Sequence, residues 1–270
     1  MIDFNKTRQY TLSIRLSTDG FCFAVHNPQA TDESAYQPYR IDSLKSMTSN
    51  FKKAVEETEM LKHTYGSVNI LLADTSYTLV PKEYYSEQYE KEFYQQNIAT
   101  ADANATVMHN VVGDEQVVVL FAVEKQLHKY ITTQFPKAKV YAAIAPLINF
   151  GVERNYNVHK KYCFAHLRKR SIDVMCFENA APLFVNTFKY KDTADALFYL
   201  LNSWTMLGLS QADDTLHIAG QSRHSKALAR DLKAFIQNIH IIRPAEEFHS
   251  TELVRSDEMP FDLQSLIACE

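Results

Sequence analysis

Glycine is scarce. The 270 residues include six, Gly20, Gly66, Gly113, Gly151, Gly208 and Gly220, and no two stand close together. A loop that cradles phosphate needs clustered glycines so that backbone N–H groups can approach the oxygens, and neither a P-loop nor a dinucleotide fingerprint can be written. Cysteine is nearly as sparse. Cys22, Cys163, Cys176 and Cys269 are scattered through a chain long enough to bury a core without staples, which reads as free thiols. No C-x-x-C, H-E-x-x-H or G-x-S-x-G occurs, which removes the short signatures of zinc ribbons, zincins and α/β-hydrolases. Cys163 and His166 have C-x-x-H spacing, but an odd separation on a strand points them to opposite faces, so no metal is expected. The longest strongly apolar run, Val117 to Val123, is far short of the roughly 20 residues that span a bilayer. The segment Met1 to Lys6 has no basic stretch followed by an apolar one. A cytoplasmic protein without membrane contact is expected.

An excess of positive charge is also missing. Lys and Arg total 28 against 32 Asp and Glu, a formal charge of −4, so the chain as a whole does not attract nucleic acid. The densest basic stretches are His159-Lys160-Lys161 and Arg168-Lys169-Arg170. They suit a solvated strand entrance and turn, and no ring-stacking motif accompanies them, so nucleic acid is not the expected partner.

What is present is an ordinary globular composition, 46% hydrophobic and 12% aromatic, in a length that favours two domains, set here at 1–150 and 151–270. Leu12 to His26 reads as a β-hairpin turning at Asp19-Gly20. A polar connection over 27–37 leads to a short strand at Pro38 to Ile41. A helix capped by Ser46 or Thr48 then buries Phe51, Val55 and Leu61, and Val68 to Leu72 forms a buried strand. The second half repeats this order. A hairpin spans Tyr162 to Phe177, a third strand Leu183 to Phe188, a helix Asp192 to Met206 and a strand Thr215 to Ala219. First and fourth strands are about 55 residues apart in both halves, as a structural repeat requires.

Between the halves, Lys82 to Gln96 reads as a helix on which Tyr85, Tyr89 and Phe93 recur at i+4, either docked on a sheet or offered to a protein partner. Asn97 to Asn110 reads as a connection. It is followed by a strand (Gln116 to Ala122), a helix (Glu124 to Gln134) and a strand (Lys139 to Ala143). The tail becomes apolar from Met259 to Ile267 and is expected to fold back onto its own domain.

A hairpin, a third strand, a helix and further strand–helix units, given twice, resemble the actin-like (ribonuclease H-like) ATPase fold. The implied class is α/β, with duplicated βββαβαβα domains and mixed sheets. More narrowly, the hairpin Leu12 to Val25, the segment Thr78-Leu79-Val80-Pro81 and the tail Pro260-Phe261-Asp262-Leu263 resemble a family of proteins of unknown function from Bacteroides and its relatives. In active actin-like ATPases each first hairpin carries Asp-x-Gly, whose carboxylate works with Mg²⁺ and whose glycine admits phosphate. This chain has Arg15-Leu16-Ser17 and His166-Leu167-Arg168 there, and Ala219-Gly220-Gln221 where paired glycines face adenosine. Arg or His in place of a metal-directed carboxylate reverses the local charge.

The resemblance with these departures implies a non-catalytic scaffold or interaction protein, with no catalytic residues and no cofactor. The partner is then an unknown protein, or a second copy through the tyrosine-rich segment. The rival expectation is a metal-independent nucleotide or anion binder, with ATP as a candidate ligand, whose basic interdomain cleft uses Arg15, Ser17, His166, Arg168, Gly220 and Gln221.

Overall fold

A computed structural model describes residues 2–99, 101–156, 161–220, 225–248 and 252–269. They form two compact units, Met1–Ala145 and Pro146–His249, the second completed by Val254–Cys269.

In the first unit, β1 (Thr11–Ser17) and β2 (Gly20–Asn27) form the expected hairpin, with Ser17 facing Gly20 and Thr18-Asp19 as the two-residue turn. The positive φ falls on Gly20, at +137°, so the glycine opens β2 and the turn itself needs none. The third strand differs from expectation. Strand β3 (Ala30–Tyr39) begins inside the stretch read as a polar connection and pairs antiparallel with β2 over most of its length. It is the sheet edge, where a strand needs only one packed side, so Asp32, Glu33 and Gln37 are compatible with pairing and guard the free edge.

Ser46 caps α1 (Met47–Glu57) by accepting the Ser49 N–H at 3.1 Å, and Phe51 and Val55 point into the core. The helix stops at Glu57, and a 3₁₀ turn at Glu59–Lys62 delivers Leu61 to the interior. Strands β4 (Ser67–Leu72) and β8 (Lys139–Ala142) then extend the sheet in parallel to give the order β3-β2-β1-β4-β8, with α3 (Lys125–Gln134) leading into β8.

A three-stranded antiparallel sheet is inserted between β4 and α3. It consists of β5 (Tyr77–Pro81), β6 (Thr106–Val112) and β7 (Val117–Val123), in the order β5-β7-β6. Only β7 is legible as a strand in the sequence, and β6 lies partly in the stretch read as a connection. The expected helix over Lys82 to Gln96 is also corrected. Two 3₁₀ turns, Lys82–Tyr84 and Glu87–Tyr89, precede α2 (Glu90–Asn97), and the chain is extended at Tyr85 and Ser86. The packed residue is Tyr94, which joins Val80, Val118 and Leu120 in a small core of its own. Asn110 ties this sheet to the larger one. Its side-chain amide donates to the Val140 carbonyl at 2.9 Å and its oxygen accepts the Ala142 N–H at 2.9 Å, standing in for a strand neighbour of β8.

The second unit repeats the plan. Strands β9 (Tyr162–Leu167), β10 (Ser171–Glu178) and β11 (Ala181–Lys189) are antiparallel, and β12 (Thr215–Ala219) and β13 (Asn238–Ile241) add in parallel, giving β11-β10-β9-β12-β13. Both five-stranded sheets share order and strand directions, so the fold is a duplicated α/β arrangement. One face packs on α5 (Thr193–Met206), capped by Asp192, and on α6 (Ser225–Leu232), with Cys163, Leu216, Trp204 and Leu228 between them. The other face is covered by aromatic rings. Phe150 of α4 (Ile144–Asn155) lies 5.4 Å from Phe164 and 5.2 Å from Phe261, the first residue of α8 (Phe261–Ala268). The tail thus folds back onto its own unit. A short helix, α7 (Pro244–Glu247), follows β13.

Candidate functional site

The two hairpin turns are the places where this topology can present backbone amides to a ligand. The first is engaged at its backbone by a carboxylate of the chain itself, and beside the second a carboxylate holds the side chains of His166 and Arg168. In the first unit, β4 runs parallel to β1 with Leu16 beside Leu72, so the residues just past each strand end are neighbours. This brings Asp74 to the turn. Its Oδ2 accepts the Thr18 N–H at 2.6 Å and the Ser17 hydroxyl at 3.0 Å, and Ser17 Oγ in turn accepts the Asp19 N–H at 3.1 Å. An anion-sized acceptor therefore already sits on the turn amide. Arg15, two residues earlier on the same strand face as Ser17, is buried, with 7% of its surface exposed.

In the second unit, His166 and Arg168 converge on one buried carboxylate. Asp173 faces His166 directly across the β9–β10 pair. Its Oδ2 accepts from His166 Nδ1 at 2.9 Å, while Oδ1 accepts from Arg168 Nη2 at 2.8 Å and the Thr187 hydroxyl at 2.7 Å. Burial alone would favour the neutral acid. The Arg168 guanidinium opposes this, helped by the His166 and Thr187 hydrogen bonds, and holds the Asp173 carboxyl well below the usual carboxylate range. The end of β11 clamps the same turn, as the Tyr190 N–H donates to the Arg170 carbonyl at 3.0 Å and its hydroxyl to the Arg168 carbonyl at 2.5 Å. His166 is further closed off by the Phe261 ring, 6.1 Å from its own. The positive charge read in this turn is thus shared with an internal anion.

Gly220, at φ +102°, packs against the first strand of its sheet. A Cβ there would stand 2.2 Å from the Leu167 carbonyl oxygen. Gln221 lies outside the described residues.

Asp74 and Asp173 are the site residues that sequence reasoning missed, although Asp74 left a signal. The Arg168 N–H donates to the Ser171 carbonyl, so the turn is Lys169-Arg170 and the register places Asp173 opposite His166; the turn read from the sequence over Arg168-Lys169-Arg170 would have put Ile172 there. Asp74 follows an apolar parallel strand, next to the hairpin end.

Tyr85, Tyr89 and Phe93 do not share a helical face. Tyr85 precedes α2 and donates its hydroxyl to Glu90, with His109 Nδ1 at 2.6 Å from the same Glu90 oxygen. Burial, then Glu90, pushes the Tyr85 phenol upward. Phe93 packs against the small core beneath, so of the three only Tyr89 is largely exposed, at 52%, beside Tyr84 at 68%. The i+4 spacing predicted a continuous stripe, and the break at Tyr85-Ser86 dissolves it.

Each unit holds a cavity, and the two are similar in size. One, in the second unit, measures about 350 Å³ and is lined by Tyr162, His217 and His240 with Arg154, Lys161 and Asp213 among the charged groups. The His217 imidazole, 4.4 Å from the Tyr162 ring, is pushed down to about 4 by burial and then by His240 and Arg154. Between that value and the ordinary 6.5 the unfolded chain binds a proton that the folded chain does not, so stability falls as pH drops through this window. The expected loss is about 2–3 kcal/mol between pH 7 and 4. Urea unfolding of the wild type and of His217→Gln checks it, since the variant should lack this part of the acid limb. The other cavity, about 330 Å³, lies in the first unit beside Thr18 and Asp74.

Comparison with known proteins places the chain. The family model for "Protein of unknown function (DUF3822)" matches residues 1–239. The chain belongs to this family. A protein from Bacteroides thetaiotaomicron VPI-5482, described as having an actin-like ATPase fold and unknown function, is similar at 34% identity over 100% of both chains, with a TM-score of 0.88. A chain of the PilM–PilN type IV pilus biogenesis complex is similar in fold, at 13% identity over 96% of this chain and 94% of its own, with a TM-score of 0.54. No curated protein matches. This DUF3822 chain therefore has the actin-like ATPase fold, with both five-stranded sheets in the same order. Among its described residues no helix is long and apolar enough to cross a membrane, and no group of three His, Cys, Asp or Glu side chains could hold a metal ion.

Proposed function

We propose that this protein is a non-catalytic interaction module that keeps the actin-like architecture without the nucleotide cycle. The observation that carries this reading is the Asp74 carboxylate on the Thr18 amide and the Ser17 hydroxyl. A phosphate oxygen approaching that turn would find the Thr18 amide already occupied by an internal oxygen, where active relatives of this fold place a glycine that leaves the amides open. Arg15-Leu16-Ser17 supplies neither that glycine nor a metal-directed acid. In the second unit the Arg168 and His166 side chains are likewise committed to Asp173. The alternative, a metal-independent anion binder using Arg15, Ser17, His166, Arg168, Gly220 and Gln221, needs those internal contacts to be exchanged for a ligand.

Purified protein is expected to release phosphate from Mg-ATP at background rates, and titration calorimetry with ATP, ADP and phosphate, with and without Mg²⁺, is expected to give no heat of binding. Turnover that disappears in a Ser17→Ala variant would overturn the proposal. Saturable binding of any of the three ligands without turnover would favour the anion binder instead.

A further inference from the structure

We propose that the cavity of the first unit docks a segment of a partner protein that presents a lysine or arginine side chain flanked by apolar residues. This rests on the interaction-module reading and names the chemistry of the partner. The cavity floor is apolar, formed by Leu16 and Leu72 at the ends of β1 and β4, Met47 at the start of α1 and Leu127 of α3. Its polar side carries three carboxylates, Asp74, Asp102 and Glu124. Among the described residues no lysine, arginine or histidine lines it.

Neutral donors hold Glu124 and Asp102 in place. Glu124 accepts the Thr48 hydroxyl at 2.8 Å and Asp102 accepts the Asn104 N–H at 2.9 Å. Such donors fix the orientation of a carboxylate and leave its charge in the cavity. Phosphates and other anions are repelled from such a site. A divalent ion is not served either, since no three metal-ligating side chains converge among the described residues. A side chain with an apolar stem and a cationic head satisfies both walls, because its methylenes cover the leucines while its head reaches the acids. The volume of about 330 Å³ suits one or two side chains of an extended segment and lies at the small end for a drug-sized ligand. Charge complementarity thus selects the occupant, and the apolar floor adds the contact area that a free cation would waste.

The test is selection of a phage-displayed random heptapeptide library on the immobilised full chain. Enriched peptides are then synthesised and measured by fluorescence anisotropy. The expected consensus contains Lys or Arg between apolar residues. Binding should weaken at least tenfold in the double variant Asp102→Asn, Glu124→Gln, which retains both acceptors and removes both charges. Replacing the basic residue of the peptide by norleucine should weaken binding to wild type by a similar factor. A second variant, Ala105→Trp, keeps the charges and fills the cavity, so it should also abolish binding, and circular dichroism with a melting curve establishes that each variant folds. No enrichment, enrichment of peptides without a basic residue, or equal affinity for the double variant would overturn the proposal, as would agmatine competing as tightly as the peptides. Peptides that bind equally well to both variants would sink the cavity while leaving the interaction module standing. ATP turnover, measured separately, would sink the interaction module.

Discussion

Asp173→Ala is expected to destabilise the second unit by about 3–5 kcal/mol, because it removes the shared acceptor of three donors in a buried network. Asp173 is 2% exposed and accepts from His166, Arg168 and Thr187 at once. Removing the carboxylate takes its ion-pair partner from the Arg168 guanidinium, whose side chain is mostly buried, and the His166 ring proton loses this acceptor. A loss of this size is a large share of a typical domain's stability. Chemical denaturation read by intrinsic fluorescence measures it. The cost belongs to breaking the set rather than to the set's own net worth. A triple replacement, His166→Leu, Arg168→Met and Asp173→Leu, is therefore expected to recover most of the loss. If Asp173→Ala unfolded with an unchanged midpoint, the network would be ornamental. Acid acts on the same group. Its carboxyl titrates below the usual range in the folded chain, so its contribution is complete above the ordinary carboxylate pKa and is lost as pH falls through the lower folded value.

Gly220→Ala is the second large effect, expected at about 3 kcal/mol or more, since two costs coincide there. The backbone sits at φ +102°, which L-residues rarely adopt, and the new Cβ would lie 2.2 Å from the Leu167 oxygen and 3.1 Å from the Leu167 nitrogen. Both neighbours are main chain of a central strand, so neither can swing aside. Gly208 is the control. It lies at φ +62° with nothing within 4 Å of an added Cβ, so Gly208→Ala is expected to cost only about 1 kcal/mol. Thermal melts of the two variants side by side separate steric conflict from conformational strain. Equal losses would mean that the approach to Leu167 is not what requires glycine.

Much of the architecture was legible because it rests on local signals. Hairpins with compact turns, apolar runs bounded by Gly66 or Asp74, and a cap such as Ser46 act within a few residues. The repeat was legible for the same reason, since both halves place those signals in one order. What escaped depends on contacts distant in sequence. Strand β3 looks polar because its outer side is solvent, and only its pairing with β2 makes it a strand. Strand β6 has a mixed pattern and is held by β7 and by the Asn110 bridge. The helix read across Tyr85 to Phe93 failed because burial of Tyr94 set the register of α2 and left Tyr85 to Glu90 and His109. Candidate residues fared similarly. Arg15, His166 and Arg168 stand out as charges in strands, yet their meaning turns on acceptors and walls that only the folded chain supplies.

The carboxylate at the first turn has a temporal consequence. A diffusible phosphate occupies its site in proportion to its concentration and leaves when hydrolysed. A tethered one is present at a fixed effective concentration for as long as the unit is folded. On the proposed reading, with Asp74 on the Thr18 amide, the turn has no empty state and no timer. Under the proposed interaction-module reading, the hairpin is set at synthesis rather than by the energy charge of the cell, and a partner would meet a surface that does not oscillate.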